Sequence, residues 1–322
     1  MISRRHFLRD ASALAIGGLA LPQLAHASDL LAGAPTRPIG LQLFTLFRPM
    51  NEDPKGTLEK VAAVGYKEIE SAFNLRGGYY GYTAKEFKKL VADLGMTWRA
   101  HHAGGAPFRP RPAAAGGPPP SGQAPGGSAQ RPAMDFSKMP PQLNLRDNYQ
   151  QLVDEAVEGG LSYLVCASTP VATLDEIQKS IEVFQKTGEA CKKAGIGFAY
   201  HNHSTEFDPV EGGKTPYELI LSQTDKDLVK MELDLAWATK AGKDPVEIFN
   251  QHPGRFPLWH IKDIKADNKT ITEVGNGVVD FKRAFAAAKV AGLKYFFVEQ
   301  DMAATPIESI TTSYTNLTKI LA

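Results

Sequence analysis

An α/β chain closed as a single-domain (β/α)8 barrel is the fold this sequence predicts, on three observations. From residue 39 onward, short apolar runs alternate with amphipathic stretches, eight of each, as for strands buried on both faces and covered by helices. Helix start and stop signals fall where that alternation needs them. With an N-terminal leader and a proline/glycine-rich insertion set aside, the remaining length is close to the roughly 250 residues of such a barrel. The alternative is an open doubly wound sheet, but no GxGxxG follows the first apolar run.

The elements follow in order. A first strand is expected at 39–44 and a helix at 54–64, opened by Asp53 before Pro54. A second strand at 66–71 precedes a helix at 83–94, and a third at 97–101 precedes the insertion, beyond which 143–158 is helical. The fourth strand, 163–167, feeds a long helix at 174–194; the fifth, 196–201, feeds one at 216–222, opened by Thr215 before Pro216. The sixth, 228–234, leads to 245–251 behind Asp244-Pro245, and the seventh, 257–261, to 281–291 behind Asp280. The eighth, 295–300, leads to a last helix at 306–320. Gly65, Gly95, Gly195 and Gly292 follow helices and suit left-handed caps.

Two segments stand outside the fold. Ser3-Arg4-Arg5-His6-Phe7-Leu8-Arg9, an apolar stretch at 11–21 and Ala25-His26-Ala27 make a charged region, an apolar region too short to span a bilayer, and a cleavage site. A Sec signal or an uncleaved anchor is the plainer reading, but the whole S-R-R-x-F-L run is present. The segment 1–27 therefore reads as a twin-arginine export signal, handled by the twin-arginine translocase and cleaved after Ala27. That pathway carries folded proteins, so a cofactor can be inserted before export, and the expected location is the periplasm. The mature domain is then 28–322. The second segment, about 103–141, is rich in Pro, Gly, Ala and Ser without apolar period. It cannot bury enough surface to offset its ordering entropy and reads as a disordered insertion, either a lid or inert.

Composition bounds the function. The 36 Lys+Arg and 35 Asp+Glu leave a formal charge of +1, and removing the leader leaves the domain near neutral. Nucleic-acid and membrane-surface binding need a basic excess, so neither is expected, and no later segment is apolar enough to cross a membrane. The two cysteines, Cys166 and Cys191, exclude a disulfide scaffold and read as small buried hydrophobes.

In a barrel of this kind, residues at strand carboxyl ends converge on one mouth. Those ends carry Gln42, Glu70, His101-His102, Tyr200-His201-Asn202-His203, Glu232-Leu233-Asp234, His260-Ile261-Lys262-Asp263 and Glu299-Gln300-Asp301. His201, Asp234, His260 and Glu299 fall on four consecutive strands, one βα unit apart. Any one alone reads equally as a core histidine or a buried ion pair. Four on adjacent strand ends are hard to explain without an ion. Two imidazoles and two carboxylates suit one borderline divalent metal: Mn2+, Fe2+, Co2+ or Zn2+.

With these residues in view, the chain resembles the xylose isomerase-like TIM barrels, the sugar phosphate isomerase/epimerase group. The pieces that carry the resemblance are Tyr200-His201-Asn202-His203-x-x-Glu206-Phe207, Glu232-Leu233-Asp234-x-x-Trp237, His260-Ile261-Lys262-Asp263, Gly275-Asn276-Gly277 and Val298-Glu299-Gln300-Asp301. The resemblance implies a divalent metal held from strands five to eight by Glu, Asp, His and Glu. Asp234, His260 and Glu299 match, while His201 stands where the group commonly has Glu, a departure that speaks against the symmetric two-Glu epimerisation its epimerases use. The YHNH form resembles members acting on 3-keto-glycosides, among them lyases and hydratases.

Around the metal set, Lys262 shares the inward face with His260 and is a candidate for holding a substrate oxygen or for proton transfer, against a solvated loop lysine. His203 alternates with His201 and is a candidate acid/base, against a merely orienting role; Glu299 is the third candidate for proton transfer. Glu70 and His102, read as lying across the mouth from the metal, are candidate sugar-hydroxyl contacts, with Trp237 as a site wall. Phe44 and Trp259 read as core, and Glu206 as a brace for the loop after strand five.

The expected function is a metal-dependent isomerase or epimerase that removes a proton next to a carbonyl of an unphosphorylated sugar or 3-keto-glycoside. A 3-keto-glycoside lyase or hydratase is the alternative, and a non-catalytic periplasmic sugar-binding barrel the alternative of another class. An abasic-site endonuclease of this fold would need more His ligands and a basic surface. The expected partner is a small sugar or glycoside; a homo-oligomer is left open.

Overall fold

The computed structural model describes residues 37–107 and 140–322. The leader at 1–27 and positions 108–139 of the insertion lie outside the described residues. Eight parallel strands close into a barrel: β1 (Gly40–Gln42), β2 (Glu68–Ser71), β3 (Thr97–Gly104), β4 (Tyr163–Ser168), β5 (Gly197–His201), β6 (Val229–Asp234), β7 (Leu258–Ile261) and β8 (Tyr295–Val298). They pair in sequential order, with β8 returning to β1. A two-stranded antiparallel ribbon, Asp263–Ile264 with Ile271–Thr272, follows β7.

The helices are α1 (Phe47–Glu52), α2 (Pro54–Val64), α3 (Ala84–Asp93), α4 (Leu145–Gly159), α5 (Leu174–Ala194), α6 (Pro216–Gln223), α7 (Leu235–Lys240), α8 (Pro245–Gln251), α9 (Phe281–Ala286), α10 (Ala288–Ala291) and α11 (Pro306–Leu321). Their starts follow from side-chain acceptors. Asp53, Thr83, Thr215 and Asp244 each take a backbone N–H of the first turn, and Thr83 and Thr215 complete capping boxes with Glu86 and Glu218. α5 and α10 end on Gly195 and Gly292 with φ of 81° and 80°, which glycine adopts without a Cβ penalty. Among the described residues no helix is long and apolar enough to cross a membrane.

Alternation along the strands builds two cores. Leu41, Ile69, Leu164, Phe198, Met231, Leu233, Trp259, Ile261 and Phe296 face the helices, all buried. Ala100, Tyr163, Val165, Ala199, Leu258 and Phe297 fill the inside of the barrel. Gly40 leaves room there: a Cβ on it would lie 2.5 Å from the Phe297 ring. Cys166 and Cys191 are buried free thiols, as the sequence suggests, and burial pushes Cys191 up to about 12.

Three expectations need correction. The first strand is shorter than 39–44, because the Gln42 side chain accepts the Phe44 N–H and turns the chain into a 3-10 segment at Leu43–Leu46. The third strand runs on to Gly104, inside the segment read as insertion: Gly104 pairs with Ser168, and Gly105 N donates to the Ser168 carbonyl at 2.8 Å. The helix expected at 281–291 is two, divided at Ala287.

Candidate active site and metal centre

Above the apolar filling the inward positions turn polar. Period two puts Glu232 and Asp234 of β6 on the inner face, and likewise His260 of β7 and Lys262 beyond its end. Asp234 ends β6 and caps α7, its Oδ1 accepting the Trp237 N–H at 2.8 Å, while its own N–H donates to Asn202 Oδ1 at 3.2 Å. Thus Asn202, between the two histidines of β5 and its loop, fastens that loop to β6.

His260, with no solvent exposure, divides the site into two levels. Its Nδ1 lies 2.7 Å from Glu299 Oε2 and 3.9 Å from Asp234 Oδ2. Its Nε2 lies 2.7 Å from Glu70 Oε2 and 3.2 Å from Glu232 Oε2. In the lower level, Glu232 Oε2 also meets His102 Nε2 at 2.7 Å and His201 Nδ1 at 3.1 Å, and Gln42 Nε2 donates to Glu70 Oε2 at 2.7 Å. In the upper level, Lys262 Nζ lies 2.9, 2.8 and 2.7 Å from carboxylate oxygens of Asp234, Glu299 and Asp301.

Burial and charge set the protonation. Burial, reinforced by Glu232, pushes Glu70 up to about 7. Burial also pushes Glu232 up, but the imidazoles of His260 and His102 outweigh it and hold that carboxylate well below its ordinary range. Burial, with His260 beside it, keeps His201 a neutral imidazole. Lys262 is 1% exposed; burial would drive off its proton, but Asp234, Asp301 and Glu299 raise it well above the ordinary lysine value. It is a buried ammonium, neither a solvated loop lysine nor a free base.

The sequence-predicted residues are disposed as follows. His201, Asp234, His260 and Glu299 come together, their ligand atoms within 4.8 Å of one another; His102, His201, Glu232 and His260 form a second such group. Glu70 and His102 do not lie across the mouth. An eight-stranded barrel is narrow enough for side chains from β2 and β3 to cross its axis, so they pack against His260 and Glu232. His203 is at the mouth, its side chain 33% exposed, with Nδ1 3.6 Å from Glu206 Oε1. Burial lowers its affinity for a proton, but Glu206 leaves the net shift upward. Glu206 is itself braced by the Tyr200 hydroxyl at 3.1 Å. Trp237 is buried, its ring 5.0 Å from Lys262 Nζ and 6.1 Å from His203. Trp259 is core, stacked on Phe249; Phe44 is not, being 37% exposed beside Phe47, because the early turn after Gln42 lifts it off the strand. Glu232 and Asp301 were missed as site residues. The signal for Glu232 was its period-two relation to Asp234, and the signal for Asp301 the same relation to Glu299.

Asp263 explains the Gly275-Asn276-Gly277 motif. Its two oxygens accept the backbone N–H groups of Ile264, Gly275, Gly277 and Val279 at 2.9–3.1 Å, folding the loop after the ribbon onto the end of β7. A Cβ at Gly277 would collide with Asp263 Oδ1 and the Ile264 carbonyl. Gly277→Ala is therefore expected to cost about 1–3 kcal/mol as an overpacking change, read as a lower Tm. A Tm equal to the parent's would show that the loop is not held this way.

A closed parallel barrel with its buried polar cluster at the strand carboxyl ends is the architecture of barrel enzymes. Residues 58–311 match the model of the xylose isomerase-like TIM barrel family, and the chain belongs to that family. Among curated relatives it is similar to inosose dehydratase of Lacticaseibacillus casei, 28% identical over 176 residues, which are 48% of this chain and 57% of that protein. The chain thus spans little more than half the length of that relative. Among solved structures it is similar to a sugar phosphate isomerase/epimerase from Parabacteroides distasonis ATCC 8503, at a TM-score of 0.67 and 27% identity, covering 94% of this chain and 98% of that one. The IOLI protein, solved with a bound zinc atom, shares the fold at a TM-score of 0.61 and 15% identity, with 88% and 98% covered.

Proposed function

We propose that this chain is a divalent-metal-dependent enzyme that removes a proton next to a carbonyl of an unphosphorylated sugar or 3-keto-glycoside, working in the periplasm after twin-arginine export. The observation that carries the reading is the convergence of two imidazoles and two carboxylates from the ends of β5–β8, all buried, within 4.8 Å. That donor set, two imidazoles and two carboxylates, fits a borderline divalent ion. His201, Asp234, His260 and Glu299 would hold the ion, taken from Mn2+, Co2+, Fe2+ and Zn2+. When bound, it supplies Lewis acidity at a carbonyl oxygen.

The chain's own groups do the rest. Lys262, kept protonated, spends its three N–H donors on Asp234, Glu299 and Asp301 and so fixes those carboxylates beside the metal set. His203 is the partly exposed titratable group at the mouth, aimed by Glu206, and takes or returns the proton; Glu299 is a weaker candidate, since Lys262 and His260 outweigh burial and hold it well below its ordinary range. Trp237 walls the space between Lys262 and His203. The expected export to the periplasm favours an unphosphorylated substrate. The inosose dehydratase similarity favours a second fate after the same proton removal: loss of the neighbouring oxygen rather than return of the proton.

His203→Gln is expected to lower kcat by about 10²–10⁴-fold, the range for a general acid or base, with metal content unchanged. An unaltered kcat would remove His203 from the mechanism. The reading as a whole is tested by incubating the enzyme with a 3-keto-glucoside and with a plain ketohexose in deuterated water. Deuterium beside the ketone without aglycone release means isomerase or epimerase. Aglycone release with an unsaturated keto-sugar means lyase. Neither, across a broad sugar panel with metal bound, leaves a sugar-binding barrel.

A further inference from the structure

We infer that Glu70 and Glu232 are positioning residues, each orienting one of the two imidazoles of the metal set from beneath, and that neither contacts substrate. The inference rests on the metal reading above and adds to it the role of the lower level. An imidazole that binds a metal through one nitrogen hands its other N–H to an acceptor, and a carboxylate in that place fixes the ring and raises its basicity. Both histidines of the set have that arrangement here. His260 turns Nδ1 toward Glu299 and Asp234 and puts Nε2 2.7 Å from Glu70 Oε2. His201 puts Nδ1 3.1 Å from Glu232 Oε2, which leaves Nε2 for the ion.

The supports are themselves supported. Gln42 donates to Glu70 Oε2 at 2.7 Å, and its own Oε1 accepts the Phe44 N–H at 3.0 Å, so the carboxylate under His260 is tied to the turn that ends β1. His102 stands between the two carboxylates, Nε2 2.7 Å from Glu232 and 3.3 Å from Glu70. Glu70 and Glu232 have no solvent exposure and lie on the side of His260 away from Asp234, Glu299 and Lys262. A sugar entering from the mouth meets that upper level first. This reassigns Glu70 from the sugar-hydroxyl contact that strand position alone suggested.

The test is Co2+ binding to the tag-free protein and its variants, read by calorimetric titration and by the visible absorption of bound Co2+. Glu70→Gln and Glu232→Gln are each expected to weaken Co2+ binding by about 10–100-fold, the usual effect of removing such a partner. The spectrum at saturating Co2+ should match the parent's, because the ligands are unchanged. Gln42→Met removes the brace without touching a carboxylate; it should weaken binding in the same direction by a smaller factor, and it carries the test if a carboxylate variant does not fold. Parent-like Co2+ affinity with a raised KM would overturn the inference in favour of substrate contact. Changed absorption bands or lost binding in Glu232→Gln would overturn it by making Glu232 a ligand. A parent protein that takes up no Co2+ would overturn the metal reading, and this inference with it.

Discussion

Asp234→Ala is expected to empty the metal site and abolish turnover while leaving the barrel folded. A Lewis-acid contribution of several kcal/mol corresponds to a loss of about 10³-fold or more. The stability cost has separate origins: Asp234 Oδ2 is one of three carboxylate oxygens around the buried Lys262 ammonium, at 2.9 Å, with Glu299 and Asp301 left to hold the cation. Asp234 Oδ1 caps α7 through the Trp237 N–H, and removing a cap costs about 1 kcal/mol, or roughly 2–4 °C of Tm in a domain of this size. Asp234→Asn separates the cap from the carboxylate: its amide oxygen still accepts the Trp237 N–H, so Tm should lie above that of Asp234→Ala while metal is lost. Elemental analysis and thermal melts of both variants check this. Collapse of the fold in Asp234→Asn would mean that the cluster is a structural ion-pair network instead.

The second large effect is expected at Lys262. Its ammonium is 1% exposed and meets Asp234, Glu299 and Asp301 at 2.7–2.9 Å. Lys262→Met leaves the buried Asp234 and Glu299 and the partly buried Asp301 without their cation, and breaking a buried pair in this way costs about 3–5 kcal/mol. A divalent ion on Asp234 and Glu299 returns positive charge to the same oxygens. In chelator the variant should therefore melt well below the parent, and Co2+ should recover more Tm in the variant than it adds to the parent. Equal increments of Tm would show that the lysine and the ion do not share these carboxylates. At saturating metal, kcat should stay depressed, because Asp234 and Glu299 have lost the ammonium that fixes their positions.

The barrel was legible because its signals are local. Asp53-Pro54, Thr215-Pro216 and Asp244-Pro245 mark helix starts whatever the rest of the chain does, and the apolar runs between them are long enough to count. The convergence of His201, Asp234, His260 and Glu299 was legible for the same reason: once eight strands are placed, each strand end has a known place on the mouth. What was illegible depends on closure. Glu70 and His260 are 190 residues apart, and their contact across the axis exists only because β1 pairs with β8. The three carboxylates around Lys262 come from β6 and from the chain beyond β8, so their sum cannot be read from HIKD alone. Phe44 was misread for a smaller reason: one side-chain hydrogen bond from Gln42 ends the strand early and turns the ring outward. Glu232 was legible by alternation and was passed over beside Asp234.

The most direct measurement is the metal content of protein purified without a histidine tag, taken together with its response to chelator. The account predicts about one equivalent of a divalent transition metal, one ion for one four-ligand set. It also predicts activity that chelator removes and the same metal restores. Protein that is metal-free as isolated, and whose melting and turnover ignore both chelator and added Mn2+, Co2+, Fe2+ or Zn2+, would contradict it.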